Sequence, residues 1–188
     1  MAGLTSERDM GTDPLLLADI ATAARISGAF RLRSGQISTT YFDKYRLESA
    51  PALLRRVVVA LAEQITASGV RFDVLAGMEL GGVPIATLLS QELGVPTAFV
   101  RKEAKAYGTC RLAEGADIRG RRLLIVEDVV TTGGAILDAL PRLGADGAVI
   151  ADAFCVILRD ERGRQNLLEQ GVTLRALCTM DELEAMTA

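Results

Sequence analysis

Apolar positions in this chain follow a helical period first and a sheet-and-helix alternation afterwards. Leu15, Leu16, Ala23 and Ile26 line one helical face, with Asp13 placed to cap it, Pro14 in its first position and Gly28 to end it. Residues 30–33, a turn at Ser34-Gly35 and residues 39–43 then predict a short hairpin. Pro51 opens a second helix. Its Leu53, Leu54, Val57, Val58, Leu61 and Ile65 keep the helical period until Gly69 stops it. Beyond Gly69 the pattern predicts strands at 72–76, 97–101, 123–126, 148–158 and 172–178, with helices at 83–93 and 135–143. These strands are continuous apolar runs rather than alternating ones. Buried on both faces, such strands make an α/β fold with a mostly parallel central sheet flanked by helices. Residues 102–119 are polar and aperiodic, and a loop of that length in a compact domain is usually a functional lid or disordered.

Composition adds limits. The chain has 188 residues, 49% of them hydrophobic and 24% charged, which suits a single domain spanning 1–188 with an ordinary core. Residues 1–12 read as a flexible tail. Lys and Arg number 21 against 24 Asp and Glu, a net charge of −3, so nothing draws the whole surface to nucleic acid or an anionic membrane. The start is polar, and no apolar stretch approaches the ~20 residues of a membrane span, so the expected location is the cytoplasm. The three cysteines are odd in number and lack CxxC spacing, which argues against a disulfide framework or a zinc site. Cys155 and Cys178 lie in apolar runs and read as small buried hydrophobes, whereas Cys110 lies in the polar loop. There is no histidine, which excludes Ser-His and Cys-His catalysis and histidine metal sites. Acid-base work must fall to carboxylates, lysines, tyrosines or the substrate.

Ligands of open α/β sheets bind at the carboxyl ends of the strands, and four features fall there. In LLIVEDVVTTGGA, residues 123–135, an apolar strand delivers Glu127 and Asp128. Thr131, Thr132, Gly133 and Gly134 then lead straight into a helix. Glycines and a helix N-terminus turn amides and a favourable dipole toward a phosphate, while two carboxylates suit the hydroxyls of a diol. A sugar phosphate satisfies both halves. The motif lacks the lysine of a Walker loop. Gly77, Gly81 and Gly82 make a second strand-to-helix turn, read equally well as an amide anion site or as a tight turn. Arg101, Lys102, Lys105 and Arg111 flank Tyr107-Gly108-Thr109 and suit a cationic clamp over phosphates. Arg159 ends the longest apolar strand, where a guanidinium can grip a carboxylate bidentately.

With these residues in view, the chain resembles the orotate phosphoribosyltransferases, a branch of the type I phosphoribosyltransferase family. LLIVEDVVTTGGA looks like the motif that binds 5-phosphoribosyl 1-pyrophosphate (PRPP). The run from Phe99 through Arg101, Lys102 and Lys105 to Tyr107-Gly108 is similar to that family's catalytic loop. Ser34-Gly35, Ser38 and Tyr41-Phe42-Asp43-Lys44 resemble its orotate-contacting hairpin, and residues 82–86 its pyrophosphate turn.

The resemblance implies a five-stranded, mostly parallel sheet and a small hood built from about 13–50 and the C-terminal segment. It implies transfer of phosphoribosyl to orotate, giving orotidine 5′-phosphate and pyrophosphate in de novo pyrimidine synthesis. Carried over by position, Lys105, Lys102 and Asp128 would be catalytic. Glu127 and Asp128 would hold the ribose hydroxyls, and Val129, Val130, Thr131, Thr132, Gly133, Gly134 and Ala135 the 5′-phosphate. Arg101, Lys102, Lys105 and Tyr107 would meet pyrophosphate. Thr131, Arg159, Tyr41 and Phe42 would contact orotate, with Arg33 and Gly81 as further candidates. Mg²⁺ would ride on PRPP without a protein ligand, and two subunits would share their sites in a homodimer. Two positions depart from the pattern: Tyr107 stands where many relatives carry histidine, and Gly81 where some carry lysine. Two other functions fit parts of the pattern: transfer to a purine or other base, and a PRPP-binding regulator without catalysis. The chain has no spare helix-turn-helix segment for the latter.

Overall fold

The computed structural model describes residues 11–186 except 32–34, 36 and 104–111. Arg33, Ser34, Lys105, Tyr107, Cys110, Arg111 and most of the proposed tail therefore lie outside the described residues.

The first helix, α1 (Pro14–Ala24), starts as expected, with Asp13 accepting the Leu15 N–H. It stops before Gly28. Arg25 is already extended, and Ile26 and Gly28 fall within strand β1 (Arg25–Arg31) rather than on or just past the helix. The reason is tertiary: β1 pairs antiparallel with β2 (Ile37–Phe42), setting Ile26 opposite Tyr41, and the register slips between Ser27 and Phe30 around Gly28. Cross-strand pairing outweighs the helical spacing that Ile26 shared with Leu15. A short helix not foreseen from the pattern, α2 (Lys44–Glu48), follows under an Asp43 cap. Then α3 (Pro51–Ser68) runs to Gly69, as its spacing predicts.

The remaining elements alternate. They are β3 (Val74–Met78), α4 (Gly82–Leu93), β4 (Thr97–Val100), β5 (Ala113–Gly115), β6 (Arg122–Val130), α5 (Gly134–Ala145), β7 (Val149–Leu158), α6 (Arg162–Glu169), β8 (Thr173–Thr179) and α7 (Met180–Ala185). The sheet order is β5-β4-β3-β6-β7-β8. Strands β4, β3, β6, β7 and β8 are parallel, and β5 adds a sixth, antiparallel edge strand. That edge strand comes from the end of the stretch read as loop. Its small residues Ala113 and Gly115 give no strand period, and pairing with β4 decides it.

Side chains of β6 alternate between two cores. Leu124 and Val126 pack with α1, α3, α4 and α7, whereas Leu123 and Ile125 face α5 and α6. Phe154 of β7 is among the largest fully buried side chains, and the Arg175 guanidinium stacks 5.7 Å from its ring. Phe154→Ala removes most of that volume, so unfolding in urea is expected to show a loss of about 3–5 kcal/mol with an unchanged m-value.

Candidate functional site

Strand β6 runs four residues past the expected end at Val126, through Glu127 and Asp128 to Val130. Ladder pairing keeps it extended: Glu127 lies opposite Cys155 and Val130 opposite Leu158. The two acids are thus neighbours at the end of a strand, with Glu127 Oε1 accepting the Asp128 N–H at 3.1 Å and the two carboxyl groups in contact.

Glu127 and residues 129–136 line one cavity of about 220 Å³ at the carboxyl end of the sheet. Its floor is the turn from β6 into α5. Gly133 there has φ 78°, a left-handed conformation that glycine adopts at little cost. No side chain among the described residues caps α5, so its first amides and dipole are left for an anion. Thr131 and Thr132 are exposed at the rim. Helix α6 braces this loop from behind: Asn166 Nδ2 donates to the Thr132 carbonyl at 3.0 Å, and Leu167 packs beneath Gly133.

Asp128 stands beside Glu127 and against the β3–α4 turn. Its carboxylate receives the Val129 N–H at 2.6 Å on Oδ1 and the Lys44 ammonium at 2.5 Å on Oδ2. A Cβ on Gly81 would stand 1.8 Å from Asp128 Oδ2 and 2.9 Å from Glu48 Oε1. Gly81 therefore serves close approach: its φ of −70° is ordinary, and a larger residue would displace the acid. Lys44, Glu48 and Gly81 converge on Asp128 from α2 and the second turn. Lys44 belongs to the hairpin motif and Gly81 to the glycine turn, whereas no motif in the sequence points to Glu48.

Three carboxylates meet here against one cation, and their protonation splits. Glu127 is pushed up to about 9, by burial first and then by Asp128 beside it. Glu48 is pushed up to about 8 for the same reasons in the same order. For Asp128 burial alone would raise the pKa, but hydrogen bonding with Glu127, Lys44 and Glu48, and the Lys44 charge, hold it below the usual value. Asp128 is the carboxylate that keeps its charge.

The cationic loop begins at the edge of the same end of the sheet. The Lys102 N–H donates to Glu79 Oε2 at 3.2 Å, and Arg142 holds the Lys102 carbonyl at 3.0 Å. The Arg101 side chain turns back to the Glu103 carbonyl at 3.3 Å. Arg159 is exposed, and its N–H bonds the Val130 carbonyl at 2.8 Å, which roots it beside the start of the β6–α5 turn. Tyr41 is exposed and its ring lies 5.5 Å from Phe30. Phe42 is half-buried and packs onto the core. The structure thus brings Glu127 and residues 129–135 into one cavity, sets Asp128 and Gly81 against its back, and roots Arg159 and Lys102 at the same sheet end.

A phosphoribosyl transferase domain model matches residues 46–174, which take in both turns and both acids. An orotate phosphoribosyltransferase of a Nocardioides species is 48% identical over 94% of this chain and 97% of its own length. The chain belongs to the orotate phosphoribosyltransferases. The member from Halobacterium salinarum is 40% identical over 92% of this chain and 96% of its own length. In three dimensions, the orotate phosphoribosyltransferase of Mycobacterium tuberculosis matches with a TM-score of 0.78 at 27% identity, over 90% of this chain and 97% of that one. The α/β fold with a mostly parallel sheet is therefore that of this family.

The raised carboxyl groups carry a stability consequence. A carboxyl whose folded pKa lies above its unfolded value holds a proton that the unfolded chain releases, so stability falls as pH rises between the two values. For Glu48 that window runs from the ordinary 4.5 to about 8. Glu48→Gln stays neutral throughout. Its melting temperature is expected to match the parent near pH 5 and to exceed it near pH 9 by about 2–4 °C, read by thermal scans at both pH values.

Proposed function

We propose that this chain transfers the phosphoribosyl group of PRPP to orotate, releasing pyrophosphate and forming orotidine 5′-phosphate for pyrimidine nucleotide synthesis in the cytoplasm. The observation that carries the reading is a cavity lined both by the uncapped start of α5 and by Glu127. An anion and a diol of one small molecule fit it together.

In this reading the amides and hydroxyls of residues 129–135 hold the 5′-phosphate, and Glu127 and Asp128 accept the ribose hydroxyls. Breaking the C1–O bond spreads positive charge on the ribose, and charged Asp128 answers it. Negative charge grows on the pyrophosphate, which Arg101, Lys102, Lys105 and Tyr107 meet. Arg159 grips the orotate carboxylate, Thr131 lies between base and phosphate, and Tyr41, with Phe42 behind it, flanks the base. Arg33 completes the hairpin side. Loop closure excludes water that would otherwise hydrolyse the activated sugar. Two copies share their sites through these loops, as the family resemblance implies, and residues 1–188 act as one domain with the hairpin side as its hood.

In this reading Mg²⁺ rides on the oxygens of PRPP, since a hard ion that keeps its waters needs no protein cage. When bound, it would supply charge neutralisation on the leaving pyrophosphate.

The test is a panel: PRPP, Mg²⁺ and orotate, adenine, guanine, xanthine or uracil, with pyrophosphate detected. Release is expected with orotate alone, and none with orotate would overturn the reading. Arg159→Ala should lower kcat/KM for orotate by about 30-fold or more, as loss of a charged, doubly hydrogen-bonded pair does. Orotate turnover at the parent rate would remove Arg159 from the site.

A further inference from the structure

The ion pair between Lys44 and Asp128 has no part in the reading above, and its setting shows what it does. Lys44 is the first residue of α2, two residues past Phe42 of the hairpin, and Asp128 sits in the central strand β6. The Asp128 side chain is 4% exposed and that of Lys44 34%, so the ammonium reaches inward to an almost buried carboxylate. Around that carboxylate stand Glu127 from its own strand, Glu48 one turn along α2, and the bare backbone of Gly81. The Tyr45 ring lies 5.1 Å from the ammonium on its outer side. Nothing else cationic reaches Asp128 among the interactions of the described residues. An Asp held among two other carboxylates turns away or takes a proton unless a cation stands beside it. Val129 N–H fixes one oxygen and Lys44 the other, leaving the carboxylate one orientation between the two turns.

We propose that Lys44 is a positioning residue for the reaction: through its contact with Oδ2 it keeps Asp128 charged and aimed at the ribose of PRPP. This rests on the reading of the site as one for PRPP and orotate. Lys44 touches no reacting atom. It acts through Asp128 and, because α2 follows directly on β2, it ties the hairpin that flanks the base to the acid that holds the sugar.

The test is steady-state kinetics of Lys44→Met, Lys44→Arg, Asp128→Asn and the double variant Lys44→Met/Asp128→Asn, with melting temperatures for each. Arg56→Met, which breaks the ion pair with Asp19 on α3 and α1, serves as a control for loss of a surface pair. Turnover of orotate by the parent protein is read first and tests the underlying function by itself. Lys44→Met is expected to lose about tenfold or more in kcat/KM for PRPP, as misplacing a positioned group does, while KM for orotate moves by less than about twofold. Lys44→Arg should recover most of that loss, and Lys44→Met should add almost nothing in the Asp128→Asn background, because the two residues act as one unit. Where Lys44→Met does not fold, Lys44→Gln takes its place in the same comparisons. An active parent with a Lys44→Met variant of unchanged kcat/KM for PRPP overturns the proposal. So does a loss that adds fully to that of Asp128→Asn, or one confined to KM for orotate.

Discussion

A carboxylate taken out of water costs several kcal/mol unless a cation and hydrogen bonds replace the water, and Asp128 is buried with two other carboxylates beside it. Much of the local structure follows from meeting that cost. The Lys44 ammonium has to come from outside the sheet, which sets α2 against the β3–α4 turn. The turn has to approach without a side chain, which sets glycine at 81. Two of the three acids hold protons so that the third keeps its charge. The result is one anionic oxygen pair held between two strand-to-helix turns.

The other half of the site is solved by backbone geometry instead of charge. Gly133 lets the chain turn left-handed out of β6, and α5 begins with its amides free of side-chain caps. Such a loop suits an anion best when it holds its shape without one. The hydrogen bond from Asn166 and the packing of Leu167 supply that rigidity from α6. Preorganised donors stabilise a phosphate more than mobile ones, because no ordering cost falls due on binding. The two halves differ in chemistry and are joined by a single strand, which is why β6 must stay extended past Val126 up to Val130.

Membership of the family was legible because its chemistry is local. Glu127-Asp128, Thr131 to Gly134 and the Arg101-Lys102 start of the loop are each a few residues long, and each stands at a strand end that its own apolar run announces. The same holds for α3 and the five parallel strands, whose burial demands unbroken hydrophobic stretches. Elements decided by partners were not legible. Strand β5 is made of residues with no strand character, and β1 contains a residue that reads as helical.

What the sequence determined alone is therefore the α/β class, the order of the parallel units and the presence of a sugar-phosphate site, because hydrophobic period and strand-end motifs are properties of neighbouring residues. Tertiary structure decided how the site is divided. It set Glu127 in the wall of the cavity and Asp128 beside it against the β3–α4 turn, brought Lys44 and Glu48 from more than 75 residues upstream to meet that acid, and showed that Gly81 makes room for it. Charge acts through space. Residues far apart in the chain can therefore meet at one acid, which only the packed fold reveals.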